Sequence, residues 1–326
     1  MNDGNKCRIV LTRTFPSPLM ELVHDVAVCV VNPDERTWSC GELLRHAREH
    51  AADALLVMAM DQIDTALIGD LPESVRVIAT YSVGHDHIDL GAARERGIAV
   101  LSTPDVLSDA VADLGMLLLL GAARRAHEAM QLIYDRTWTG WSPTQVIGRD
   151  VSGGRLGIVG MGRIGRAIAR RARHGFGMAV HYHNRSRLAP DIEDDATFHT
   201  RLDDLLAVSD FLMLAAPATP ETRGLVNESS IERLPHGAIV ANVSRGDLVD
   251  DEALIAALRS GRVMAAGLDV FNGEPNLNDD YRSLPNVFLQ PHQGSSTIET
   301  RLKMGRLLLD SIVRTRAGEL VANRLV

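Results

Sequence analysis

Several short segments of this chain carry apolar residues in consecutive runs rather than only at alternate positions. In the first third they are RIVLT (8–12), VAVCVV (26–31), ALLVMA (54–59), VRVIATY (75–81) and IAVLST (98–103). The pattern restarts with RLGIVG (155–160), MAVHYH (178–183), FLMLAAP (211–217), AIVANVS (238–244), AAGLDV (265–270) and VFLQPH (287–292). A strand that is apolar on both faces must be covered on both. The stretches between these segments, such as CGELLRHAREH and IDLGAARERG, carry helical spacing and can supply that cover. At 326 residues the chain exceeds one ordinary core. The predicted fold class is therefore α/β, with two doubly wound parallel-sheet domains.

A helix is predicted from about Ser108 to about Gln131, with Asp109 and Asp113 in its first turns, followed by a loop holding Trp138 and Trp141. That loop is too long for a mere connector. The segment from about Ser295, TIETRLKMGRLLLDSIVRTRAGEL, reads as one amphipathic helix. Two sheets with one helix left over suggest that the chain returns to its first domain. A net charge of −8 argues against nucleic-acid or anionic-membrane surfaces. Cys7, Cys29 and Cys40 lie in no metal-ligand spacing and read as reduced thiols, so no metal is expected. The longest apolar run, LGMLLLLGAA, is short of a membrane span, and no signal region is evident; a cytoplasmic location is expected.

Gly160-x-Gly162-x-x-Gly165 follows an apolar strand and opens a helix running to about His174. In that context the first glycine permits a tight turn and the second lets backbone approach a pyrophosphate. The third lets helix and strand pack closely, with the phosphates at the positive helix N-terminus. A dinucleotide site is expected, with Arg163 and Ile164 in the turn and Pro217, Val243 and Gly294 as further cofactor candidates. The strand-end position that is normally acidic falls on Asn184, 24 residues after Gly160. A carboxylate there would repel a 2′-phosphate. Asn184 removes the repulsion, and Arg185, Ser186 and Arg187 offer two cations and a hydroxyl. NADPH is therefore predicted over NADH, with Arg185 the main determinant.

Three groups of a suitable kind follow strands of the second half: Arg245 in ANVSRGDLVD, Asp269 and Glu274 in GLDVFNGEP, and His292 in FLQPHQGSS. Ligands bind at the carboxyl ends of strands in open α/β sheets. Singly each residue could be a loop charge, a cap or a structural histidine. Together they suit reduction of a carbonyl beside a carboxylate. The histidine supplies a proton, the acid stabilises its charged form, and the arginine fork holds and polarises the oxo acid.

The chain resembles the D-isomer-specific 2-hydroxyacid dehydrogenases through YSVGHDHIDL, GRLGIVGMGRIG, ANVSRGDLVD, AAGLDVFNGEP and PHQGSST, in the family's order over most of its length. The resemblance implies a Rossmann cofactor domain at 105–292 and a flavodoxin-like substrate domain made of 1–104 and 293–326, with a cleft that closes by hinge motion. It implies Arg245 as substrate ligand, His292 as acid/base, Glu274 as its partner, and Asp269 near the nicotinamide. It gives the substrate carboxylate to the backbone amides of Val83 and Gly84. The loop WTGWSPT looks most like that of the glyoxylate/hydroxypyruvate reductases and their 2-ketogluconate-reducing relatives. In that group a loop aromatic crosses a homodimer interface, which would put Trp141 in the partner's pocket; the alternative for Trp138 and Trp141 is interface packing alone. Gln293 and the acidic run NDDYRSL depart from the usual pattern and bear on substrate choice.

The leading expectation is an NADPH-dependent reductase of glyoxylate and hydroxypyruvate. The alternatives are a reductase of larger 2-oxo acids, such as 2-ketogluconate or phenylpyruvate, and a non-catalytic dinucleotide-sensing protein.

Overall fold

A computed structural model describes residues 6–34 and 36–326. The chain divides into two compact units, one of residues 1–107 with 295–326 and one of residues 108–294.

The first unit alternates β1 (Cys7–Leu11), α1 (Ser17–Val26), β2 (Ala27–Val31), α2 (Cys40–Glu49), β3 (Ala54–Val57), α3 (Thr65–Asp70), β4 (Val77–Thr80), α4 (Leu90–Glu95) and β5 (Ala99–Leu101). The five strands form a wholly parallel sheet in the order β2-β1-β3-β4-β5. The order reverses between β1 and β3, and β3 and β4 are buried at every residue, which is why they read as unbroken apolar runs. Helix starts follow local chemistry. Ser39 and Glu42 form a reciprocal capping box on α2, and Asp64 and Asp89 cap α3 and α4.

The second unit opens with α5 (Ser108–Ala123) and α6 (Ala126–Tyr134), and continues through β6 (Arg155–Val159), α7 (Arg163–Phe176), β7 (Ala179–His183), α8 (Pro190–Glu193), β8 (Thr197–Phe198), α9 (Leu202–Val208) and β9 (Phe211–Leu214). It ends with α10 (Glu228–Arg233), β10 (Ala238–Asn242), α11 (Asp251–Ser260), β11 (Val263–Leu268), α12 (Asp280–Ser283) and β12 (Val287–Leu289). Its seven parallel strands run β12-β11-β10-β9-β6-β7-β8, so the order reverses between β6 and β9, beside the turn that leaves β6. A further helix, α13 (Ile298–Arg316), packs on α1, β4 and β5 of the first unit, and Asn323 ties the tail there by donating to the Ser102 carbonyl at 2.8 Å.

Three local readings need correction. The single helix expected over 108–131 is two, because Arg125 takes a left-handed conformation with φ 50° and restarts the chain as α6. The final helix starts three residues later than expected, where the Thr297 side chain accepts from the Thr300 amide. The edge strand β8, two residues long, had no apolar run to announce it. Asp109 and Asp113 on α5 pair with Arg170 and Arg171 of α7, fastening these two neighbouring helices.

Candidate active site

The glycine turn after β6 assigns each glycine a different reason. Gly160 has φ 94°, and a Cβ there would lie 2.4 Å from the Ala216 amide nitrogen. A Cβ at Gly165 would lie 2.2 Å from the Gly160 carbonyl oxygen, so this glycine sets the approach of α7 to β6. At Gly162 a Cβ would meet nothing within 4 Å. Nothing in the protein demands a glycine at Gly162, so the open space suits a ligand that approaches the backbone closely. Helix α7 starts at Gly162 with no side-chain cap, which leaves its first amides suited to phosphate oxygens, and Arg163 and Ile164 form its first residues. The residues present therefore fit a dinucleotide pyrophosphate.

At the end of β7, Asn184 Oδ1 accepts from the Met161 amide at 2.7 Å, so this side chain is tied to the glycine turn. Arg185 and Ser186 follow. Arg187 is corrected as an independent cation, because its Nη2 donates to Glu193 Oε2 at 2.7 Å and its Nε to Oε1 at 3.0 Å. Hydrogen bonds from Arg187 and Tyr182 hold the Glu193 carboxyl below its ordinary range. Pro217 follows β9, where its carbonyl accepts from Thr222 Oγ1 at 2.7 Å, and Val243 follows β10 directly.

Beyond β10, β11 and β12 the chemistry-bearing residues meet. Buried Asn242 ends β10 and shapes the next turn: its Oδ1 accepts from the Ser244 amide at 2.9 Å, and its Nδ2 donates to the Arg245 carbonyl at 2.8 Å. Arg245 Nη1 donates to the Ser244 carbonyl at 2.8 Å. Gly246 must be glycine, since a Cβ would sit 1.9 Å from the Phe271 carbonyl carbon. That close backbone contact seats the Arg245 turn against the loop carrying Glu274. Glu274 Oε1 accepts from the Phe271 amide at 2.8 Å, and Oε2 is 2.7 Å from His292 Nδ1. Burial pushes the Glu274 carboxyl up, but the His292 bond and charge, the Phe271 amide and the Arg245 charge together hold it below its ordinary value.

Asp269 is 1% exposed, follows β11, and accepts from the Gln293 amide at 2.6 Å and the Gly294 amide at 2.9 Å. Burial pushes its carboxyl up to about 6, against the pull of those amides and of His292. The Asp269 carbonyl also accepts from the His292 amide at 2.8 Å, and His292 itself has φ 55°. An L side chain is uncommon there, so the 291–294 turn is held by its bonds to Asp269 rather than by local preference. Glu274 and Asp269 thus divide the work: one addresses the histidine ring, the other its backbone turn.

The fold and this site together decide the chain's relationships. Residues 116–294 match the family described as D-isomer specific 2-hydroxyacid dehydrogenase, NAD binding domain. The glycerate dehydrogenase of Hyphomicrobium methylovorum is 43% identical over 310 residues, covering 94% of this chain and 95% of that protein. The chain belongs to the D-isomer-specific 2-hydroxyacid dehydrogenase family. The glyoxylate reductase of Thermococcus kodakarensis is 41% identical over 317 residues, 96% of this chain and 94% of that one. The NADPH-dependent glyoxylate/hydroxypyruvate reductase of Sinorhizobium meliloti, solved with NADP and malonate, superposes with a TM-score of 0.87 at 30% identity, covering 99% and 97% of the two chains.

The other predicted residues belong to other segments of the chain. Val83 and Gly84 are in the first unit, in the loop after β4, where the Gly84 carbonyl accepts from Ser82 Oγ at 2.6 Å. Trp141 is 84% exposed and Trp138 is also exposed. The 276–284 segment is anchored by buried Tyr281, whose hydroxyl donates to Asp251 at 2.8 Å. Among the described residues no cluster of metal-ligating side chains occurs, and no helix is long and apolar enough to cross a membrane. Sequence reasoning missed Asn242, Gly246, Tyr182 and Glu193. For Asn242 the signal was available, as a polar residue closing an otherwise apolar strand.

Proposed function

We propose that this enzyme reduces the small 2-oxo acids glyoxylate and hydroxypyruvate to 2-hydroxy acids, using NADPH. The observation that carries the reading is the 2.7 Å His292 Nδ1–Glu274 Oε2 contact beside Arg245. The bound nicotinamide supplies the hydride. Glu274 holds Nδ1–H, which leaves Nε2–H to deliver the proton to the substrate oxygen, so oxo acid, hydride and proton become the hydroxy acid. Arg245 orients the substrate carboxylate and draws charge toward the carbonyl oxygen. Val83 and Gly84 are assigned to the same carboxylate through their amides. Asp269 fixes the His292 turn next to the nicotinamide. The sequence relatives support the substrate class, since hydroxypyruvate is what glycerate becomes when oxidised at its second carbon.

The cofactor preference rests on the strand end. Asn184 contributes a bond to the glycine turn and no negative charge, while Arg185 and Ser186 remain for a 2′-phosphate. The second unit also carries α6, none of whose residues is buried and which exposes Met130, Ile133 and Tyr134; in the segment after it Trp138, Trp141 and Ile147 are exposed as well. We assign that apolar surface to a homodimer in which Trp141 reaches the partner's pocket.

A single assay panel tests the reading: glyoxylate, hydroxypyruvate, 2-ketogluconate, pyruvate and phenylpyruvate, each with NADPH and with NADH. The expected result is the highest kcat/KM for the first two acids with NADPH. A higher value for NADH overturns the cofactor assignment, and a preference for 2-ketogluconate or phenylpyruvate overturns the substrate assignment. Measurable turnover of none of the five would leave the dinucleotide-sensing alternative.

A further inference from the structure

The loop after β7 is more tightly built than a solvated basic segment requires. Glu193, at the end of the four-residue helix α8, is 6% exposed, although it is a carboxylate. Charged side chains are rarely so buried unless paired. Tyr182, fully buried near the end of β7 and tilted against Phe198, donates its hydroxyl to Glu193 Oε1 at 2.6 Å. The same hydroxyl oxygen accepts from the Leu188 amide at 2.9 Å. Arg187 completes the set, its Nε and Nη2 both donating to the Glu193 carboxylate.

Residues 187 and 188 are therefore tied to the sheet through a tyrosine and a buried carboxylate, while Asn184 is tied to the glycine turn. Between the two ties stand Arg185 and Ser186, whose side chains make no hydrogen bond among the described residues. A carboxylate within electrostatic reach of Arg185 is Glu221.

We propose that Tyr182, Glu193 and Arg187 form a strut that holds the 185–186 turn in the shape that receives a 2′-phosphate, with Glu193 as a specificity-determining positioning residue. Arg187 neutralises Glu193 instead of binding the phosphate. The inference rests on the NADPH reading above. It differs from a direct phosphate contact by Arg187 in its charge balance. In the native loop the Arg187–Glu193 pair is neutral, so Arg185, with Glu221 the carboxylate in its reach, is the charge left at the 185–186 turn. Loss of Arg187 alone leaves Glu193 without its cation, adding a negative charge behind the turn that disfavours a phosphate. Loss of both charges restores the native balance. If Arg187 touched the phosphate itself, removing Glu193 as well would restore nothing.

The test is calorimetric titration with two probes, adenosine 2′,5′-bisphosphate and 5′-AMP, on the wild-type protein, Arg187→Gln, Arg187→Gln/Glu193→Gln and Tyr182→Phe. Arg187→Gln is expected to weaken the bisphosphate about tenfold or more while leaving 5′-AMP within about threefold, as for loss of one charge-assisted interaction. The double variant, whose two amides can still bond each other and the Tyr182 hydroxyl but carry no charge, is expected to return the bisphosphate to within about threefold of wild type. Tyr182→Phe, which removes the hydroxyl and no charge, should weaken the bisphosphate selectively and raise amide exchange at Leu188. A double variant as impaired as Arg187→Gln makes Arg187 a phosphate ligand and overturns the strut, leaving the NADPH reading standing. No selective loss in Arg187→Gln overturns it as well. Equal binding of the two probes by the wild-type protein overturns the cofactor reading and the strut together.

Discussion

Two loop regions at strand ends of the second sheet are built by different means for the roles proposed for them. The rim beyond β10, β11 and β12 is fixed by backbone: Gly246 lies against Phe271, the Phe271 amide holds Glu274, and the Gln293 and Gly294 amides hold Asp269. The region beyond β7 is fixed by side chains: Tyr182, Glu193 and Arg187 brace a loop whose Arg185 and Ser186 make no side-chain hydrogen bond among the described residues. Acid–base chemistry needs atoms placed to a fraction of an ångström, and a buried backbone lattice gives that. Choosing between a ribose hydroxyl and a phosphate needs charge more than placement. Surface side chains can supply charge without disturbing the rim.

The comparison breaks first at His292. His292→Ala is expected to lower kcat by about 10²–10⁴-fold or more, since it removes the proposed proton donor. Steady-state rates measure this, and near-native turnover would take the histidine out of the mechanism. Next in size is Gly246→Ala, which places a methyl group against backbone that has no rotamer to give. An overpacked site of this kind costs about 1–3 kcal/mol or more. Chemical denaturation should show that loss together with a fall in kcat, because the Arg245 turn must move. If the variant keeps both stability and rate, the rim is not held by this contact. In the other region Arg185→Gln should change less and more selectively: about a tenfold fall in kcat/KM with NADPH, as for one charge-assisted interaction, and little change with NADH. Equal losses with both cofactors would mean that Arg185 does not read the phosphate.

The two regions also differ in how far the sequence announces them. The sheets were legible because parallel strands buried on both faces leave unbroken apolar runs, and β3, β4, β9 and β10 are buried throughout. Strand β8 was not, because two residues at a sheet edge bury too little to leave a pattern. Nor was the break at Arg125, where ARRAHEAM keeps ordinary helix formers through the turn and offers no local breaker to end α5. Arg245, Glu274 and His292 stood out because each follows an apolar strand, where sheet topology places ligand chemistry. Glu193 gave no such sign: it lies in the acidic run DIEDD, and its burial depends on Tyr182 and Arg187 reaching it across a loop. At Asn184 the absence of charge was legible, but the bond its amide oxygen accepts from Met161 left no sign in the sequence.

The smallest expected effect concerns how the rim responds to acid. Glu274 carries a carboxyl held below its ordinary value of 4.5 despite burial, chiefly by His292. A carboxyl depressed in the folded state favours folding wherever the unfolded chain would bind the proton more tightly. Its contribution is complete above about 4.5 and is lost as pH falls through the lower, folded value. Asp269 has the opposite sign. Its carboxyl is raised to about 6 by burial, so the folded chain holds that proton more tightly and stability from this group declines as pH rises from about 4 to 6. Glu274→Gln removes the first contribution and leaves most of the second, since burial, not the Glu274 charge, is the main cause that raises Asp269. Thermal melts of the two proteins from pH 3 to 8 should show wild type ahead above about 4.5 and the gap closing below it. The variant alone should show the Asp269 trend, with stability falling between pH 4 and 6. A gap that widens on acidification would mean that His292 does not hold the Glu274 proton off. The rim would then owe its geometry to the Phe271 amide alone.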